Sequence, residues 1–369
     1  MISASLYQTF YLILVTIITF AIRKNYTHLP ASITRRSTRG EQLFTLALVV
    51  FLILFIGYRP LSAYYFCDMA NYAETYEEYY EGYPFIFEPD AENLIFDNLF
   101  AYIGSKRLGY TFFFVIISAI YFSTAYIGIR RLFPNNTLAA YLIFLAAFCT
   151  FSMATNGIKA GAAASIFLMA MGYRNNLKIC VPLMIISWGF HHSMVMPIGA
   201  FIITMFIKNS KWYFYLWLFC FLMAIGHVTA FAGWFASMAD DKAASYLLSQ
   251  RNGLEGTRGG LRLDFILYSL APVAIGYYYI MKKNKSISPL YRDLLNIYLC
   301  TNSIWMLCMY ASFTNRIAFL SWLFYPIVLI YPFLNENLSP RRYQYFERTM
   351  MYHLYFTLFM NGIYYQFIR

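Results

Sequence analysis

Apolar runs of about 20 residues, each long enough to cross the hydrocarbon core of a bilayer, recur along this chain from end to end. Lipid offers no hydrogen bonds, so a spanning segment has to satisfy its own backbone, which leaves only helices and closed barrels. A barrel would show short segments of alternating polarity. The runs here are continuous, so an all-α fold is predicted. Composition agrees: 60% of residues are hydrophobic and 12% charged, against roughly 25% charged in a soluble domain. The first run, residues 6–22, is followed by no small-residue cleavage pattern and reads as a retained helix rather than a signal peptide.

Charge sorts the connecting loops into two alternating sets. Loops 23–41, 130–136, 174–178, 208–211, 282–293 and 335–348 hold eighteen Lys and Arg against four Asp and Glu. The rest of the chain holds ten basic and thirteen acidic residues. Lys and Arg concentrate in cytoplasmic loops, so the second set, with 59–110 and 232–262, is expected to face outward. The net charge of +11 therefore reports topology. No basic stretch with interleaved aromatics suits a polynucleotide, and nucleic acid is excluded as a partner. The cysteines (Cys67, Cys149, Cys180, Cys220, Cys300, Cys308) lie mostly in apolar runs without a CxxC pair and read as small buried hydrophobes.

Helices are predicted at 4–22, 42–58, 110–129, 137–154, 157–173, 179–190, 194–207, 212–231, 263–281, 293–312, 317–333 and 346–367. The expected fold is one polytopic membrane domain, 1–369, a bundle of about 10–12 helices. Residues 59–110 form an acidic, aromatic outer loop and 232–262 a second one. Segments 179–190 and 194–207 are too short to span. They are expected to form a re-entrant pair meeting at Gly189-Phe190-His191-His192-Ser193, the alternative being one kinked helix. Broken membrane helices commonly line a buried site.

Loop 59–110 carries nine of the seventeen acidic residues. Asp68 and Glu88 are candidate general bases if burial raises their pKa, while Glu74, Glu77, Glu78 and Glu81 read as a solvated helical face. Arg59 caps helix 42–58 on the same side. Lys159 sits in the first turn of the small-residue segment Asn156–Ala164, where free N–H groups and the helix dipole add to its charge and suit a phosphate. Arg316 stands at the outer end of another helix. Such outward cations run against the positive-inside trend and point to a shared anionic ligand. His191-His192 suits proton shuttling or phosphate binding, but adjacent residues cannot chelate one metal as an i, i+4 pair does. No metal and no cofactor is expected. Tyr72 and Tyr76 are candidate sugar-stacking rings, and Arg258 and Arg262, in the glycine-rich second loop, candidate sugar contacts. Hydrolase and nucleotide-binding motifs are absent.

Four stretches together resemble the EpsG family of exopolysaccharide proteins, which belongs with the Wzy-type O-antigen and capsule polymerases. They are Arg59 followed by Asp68-Met69-Ala70-Asn71-Tyr72; Phe87-Glu88-Pro89; Asn156-Gly157-Ile158-Lys159 with Phe190-His191-His192-Ser193; and Asn315-Arg316-Ile317. The chain departs from the pattern at Lys159-Ala160, where the family usually has Arg-Gln, and at Cys67, where it has glycine. A lysine supplies charge without the bidentate fork of arginine. The resemblance implies a bacterial inner-membrane glycosyltransferase of GT-C-like fold that joins undecaprenyl-diphosphate-linked oligosaccharides at the periplasmic face, with 59–110 and 232–262 as periplasmic loops. It implies Asp68, Glu88 and His191 as catalytic residues, and Arg59, Lys159, Arg316 and His192 as pyrophosphate ligands. Implied partners are the lipid-linked glycan, a chain-length-regulating co-polymerase and membrane lipids. Rival readings are a membrane-bound O-acyltransferase with a histidine base, a lipid-linked glycan transporter, and a structural membrane subunit.

Overall fold

Every secondary element in the computed structural model is helical among the described residues, which are 2–27, 29–30, 35–80, 84–228, 260–311 and 314–363. In chain order the helices are α1 (Tyr7–Thr27), α2 (Arg39–Gly57), α3 (Cys67–Tyr80), α4 (Leu94–Ser105), α5 (Tyr110–Leu132), α6 (Thr137–Leu145), α7 (Thr150–Thr155) and α8 (Ile158–Gly172). There follow α9 (Leu177–Phe190), α10 (Val195–Phe206), α11 (Ser210–Ile225), α12 (Leu263–Tyr277), α13 (Pro289–Leu307), α14 (Thr314–Trp322), α15 (Tyr325–Leu334) and α16 (Arg342–Phe359). Among the described residues five stretches are long and apolar enough to cross a membrane: Ala4–Thr27, Arg39–Gly57, Tyr110–Leu132, Leu263–Lys282 and Thr314–Leu334. The protein is a polytopic helical membrane protein. Its chain forms two compact units, Met1–Met194 with Phe333–Arg369, and Val195–Pro332.

In the first unit, α5 and α8 pack closely because glycines remove the side chains between them. A Cβ at Gly128 would lie 2.7 Å from the Leu168 carbonyl oxygen, and one at Gly172 would lie 3.2 Å from that of Gly128. Helix α2 begins with a capping box in which Thr38 and Glu41 satisfy each other's backbone N–H. Arg35 pairs with the same Glu41, and Arg23 with Glu347 of α16.

Residues 137–154, predicted as one helix, are broken between Leu145 and Thr150. A break frees carbonyls that lipid cannot satisfy. Here side chains take four in succession: His353 holds Ile143 O (3.1 Å), Thr150 Oγ1 donates to Phe144 O (2.6 Å), Tyr11 to Leu145 O (2.7 Å) and Thr357 to Ala146 O (2.7 Å). His353, a structural residue on the sequence reading, contributes to this repair. The span 317–333 is likewise interrupted, between Trp322 and Tyr325.

Region 59–110 is not simply a loop, because it folds into α3 and α4. In α4, Phe96, Phe100 and Ile103 form an apolar face that periodicity alone would identify. Helix α9 ends at Phe190, His191 is extended (φ −155°, ψ 118°), and a 3-10 turn spans His192–Met194. One continuous helix through this stretch is thereby ruled out. Of the second loop, residues 232–259, with Arg258, lie outside the described residues.

The turn from α7 into α8 is tight. A Cβ on Gly161 would stand 2.5 Å from the Met153 carbonyl oxygen, a contact no real side chain makes. Gly161→Ala is expected to destabilise the protein by about 1–3 kcal/mol, read as a lower thermal midpoint in detergent. Gly199→Ala is the control and should change little, since nothing lies within 4 Å of that Cβ.

Candidate active site

Helix α4 gathers the polar groups of the first unit. Its N-terminus is closed by its own carboxylate: Asp97 Oδ2 accepts from the backbone N–H of Asn93 at 3.0 Å. The other oxygen, Oδ1, accepts from Lys159 Nζ at 2.6 Å, joining α4 to the first turn of α8. Asn93 is buried and its side-chain oxygen accepts from the backbone N–H of His192 at 3.2 Å, joining α4 to the histidine turn. Next to it, Glu92 Oε1 lies 3.1 Å from His192 Nδ1. The approach of α9 to α4 depends on Gly189, whose Cβ would meet Ile95 at 2.6 Å, and on an edge-to-face contact of Phe190 with Phe96. One short amphipathic helix thus holds Lys159 and His192 in fixed register.

The histidine turn sets a tautomer. The backbone N–H of Ser193 donates to His191 Nδ1 at 3.2 Å, and Ser193 Oγ lies 2.7 Å from the same nitrogen. A backbone N–H only donates, so Nδ1 is the acceptor and the neutral ring carries its proton on Nε2. His191 therefore presents an N–H donor, suited to an anionic oxygen. Its ring stacks on that of His192 at 5.1 Å.

Lys159 is partly exposed and rests over aromatic faces, its Nζ 4.9 Å from the centroid of Phe96 and 5.9 Å from that of Tyr72. Tyr72 also packs against Phe96 and Phe100. Asp68 lies one turn before Tyr72 on the same face of α3, half-buried in the first helical turn. Its carboxylate has no hydrogen bond or ion pair among the described residues. Tyr76 is wholly buried, edge-on to Phe100. A ring without an exposed face cannot stack on a sugar, so the structure makes it a packing element rather than the sugar contact expected.

Arg59 is 3% exposed and differs from the expected surface cap. One Nη donates to Ile56 O at 2.8 Å and the other to Thr155 O at 3.0 Å, so a single guanidinium closes the C-terminal ends of α2 and α7. It lies over the Phe114 ring at 4.7 Å. Burial pushes it down to about 9, still cationic at neutral pH. Its Nε and the nearby Asn156 Oδ1 are buried without a hydrogen-bond partner among the described residues. Glu88 has an exposed side chain; its backbone is clasped by Asn98, which accepts from Glu88 N at 2.8 Å and donates to Glu88 O at 2.9 Å.

In the second unit, Arg262 makes a two-pronged pair with Asp264 (2.9 and 2.6 Å) at the start of α12 and covers Phe265. Arg316 is exposed in the first turn of α14. No group of three or more His, Cys, Asp or Glu suited to a metal occurs among the described residues.

A family model matches residues 42–368, nearly the whole chain and all four stretches quoted above. The chain belongs to the EpsG family. That family is associated with Wzy-type polymerases, which makes this a polysaccharide polymerase-like membrane protein. No curated protein and no solved structure matches it. Asp97, Asn93 and Glu92 were not singled out from the sequence, and Ser193 entered only as part of the Phe190–Ser193 stretch. The signal for the first was available, as an Asp four residues after Asn93 at the start of an apolar helical repeat.

Proposed function

We propose that this EpsG-family protein is a polymerase of lipid-linked oligosaccharides, acting at the periplasmic face of the bacterial inner membrane. The observation that carries the reading is the partly exposed Lys159 in the first turn of α8, tied through Asp97 and Asn93 to a histidine turn that offers an N–H donor. Cation, helix N-terminus and imidazole N–H are the groups that stabilise a departing diphosphate. The donor is an undecaprenyl-diphosphate-linked glycan, with the lipid in the membrane and the diphosphate at Lys159, His191 and His192. A sugar hydroxyl of a second lipid-linked unit attacks the anomeric carbon from the opposite face. The new C–O bond forms as the bond to diphosphate breaks, and the configuration inverts. The hydroxyl proton passes to a carboxylate, for which Asp68 is the proposed acceptor because it shares the α3 face that carries Tyr72 toward Lys159. Charge on the leaving group is offset by protein cations, so the step needs no metal. A chain-length-regulating co-polymerase is a proposed partner.

The test is reconstitution with a defined lipid-linked repeat unit, scoring the ladder of products. Asp68→Asn and Asp68→Ala are expected to lower polymerisation by about 100-fold or more, within the 10²–10⁴ range of a lost general base. Glu88→Ala should stay within a few-fold, and the ladder should survive a chelator. Full activity of Asp68→Ala would sink the assignment of the base, and failure of the wild type to make a ladder would sink the polymerase reading.

A further inference from the structure

Asp97 is the residue on which the site turns. Its two oxygens are committed to different elements, one to Lys159 Nζ at 2.6 Å and the other to the N–H of Asn93 at 3.0 Å. The Asn93 side chain in turn fixes the backbone of His192. The pair is neither a free surface contact nor a sealed one: the two side chains are 25% and 30% exposed, so an anion arriving from solvent has access to both. A carboxylate and a diphosphate are rival acceptors for the same ammonium. Lys159 hydrogen-bonds only to Asp97 among the described residues, its other neighbours being the ring faces of Phe96 and Tyr72. Among the described residues nothing else therefore takes over the ammonium when Asp97 releases it.

We propose that Asp97 is a positioning residue that works by exchange. It holds Lys159 aimed while the seat is empty, yields the ammonium to the lipid diphosphate, and reclaims it so that the product leaves. This rests on the polymerase reading, because it takes the anion to be the diphosphate of the lipid carrier. Its consequence is the opposite of what a structural ion pair gives. Removing the Asp97 charge should tighten the hold on diphosphate, because a competitor is gone, and slow turnover, because the leaving lipid is retained.

The experiment compares wild type, Asp97→Asn, Asp97→Glu and Lys159→Ala in lipid nanodiscs, titrated with a short-chain polyprenyl diphosphate and assayed for polymer formation. Asp97→Asn is expected to bind the probe about tenfold more tightly at low salt, the order a half-screened charge pair supplies, with a lower kcat and a lower KM. Asp97→Glu should return both towards wild type, and Lys159→Ala should bind weakly. Weaker or unchanged binding by Asp97→Asn overturns the exchange role and leaves the polymerase reading standing, as does wild-type affinity in Lys159→Ala. No binding of the probe by the wild type defeats the polymerase reading itself, and the exchange role with it.

Discussion

Replacing Lys159 with alanine is expected to lower the rate of polymer formation by about 100-fold or more, the usual cost of removing one preorganised donor from a developing anion. Lys159 is partly exposed, sits in the first turn of a helix and is held by a named counter-ion. Arg59, by contrast, has both Nη groups engaged by backbone carbonyls. Stability should fall little, because the pair with Asp97 is partly solvated and such pairs contribute about 0–1 kcal/mol. Loss of activity with an unchanged thermal midpoint is thus the expected signature. Lys159→Arg is the informative second variant. The family pattern usually has arginine here, and a guanidinium offers two parallel donors to a phosphate where an ammonium offers one point charge. It should retain activity to within about tenfold of wild type. An alanine variant that polymerises normally would remove the lysine from the mechanism.

The membrane fold was legible because its signal is long-range and redundant. Uninterrupted apolar runs bring α1, α2, α5 and α12 within a few residues of their observed bounds. The breaks were less visible. Residues 146–149 contain neither proline nor glycine, and the turn there exists because Tyr11, His353 and Thr357, distant in sequence, accept the cost of its open carbonyls. Such a partnership has no local signature. One further element, α4, was hidden differently. Acidity marked 59–110 as a connector, and that reading concealed the helical repeat of α4 together with Asp97 at its start. The histidine turn was found, but its tautomer depends on Ser193 meeting Nδ1 across a fold of the backbone, which spacing alone does not reveal. Arg59 was read as an outer-surface cap, whereas the structure buries it. An arginine just past a membrane helix normally snorkels to water, and only the tertiary fold shows it turned inward.

That inward turn makes Arg59→Ala the variant with the largest expected effect on stability. The substitution leaves the carbonyls of Ile56 and Thr155 buried without their donors and opens space against Phe114 and Phe66. Hydrogen bonds from a charged donor contribute about 1.5–3 kcal/mol each, and the recovered desolvation of the guanidinium offsets part of the sum. A net loss of about 3 kcal/mol is therefore expected. Arg59→Lys should recover part of it, because an ammonium reaches one carbonyl well but lacks the planar fork that spans two helix ends. The effect should be local first, since Thr155 ends α7 and the turn after it aims Lys159. Cys149, 1% exposed at the other end of α7, offers a direct reading. In a background with the other cysteines replaced, its thiol should be protected in the Arg59 protein and react with a maleimide in Arg59→Ala at temperatures below global unfolding. Equal protection in both, with activity alone lost, would mean that Arg59 acts on the ligand and not on the turn.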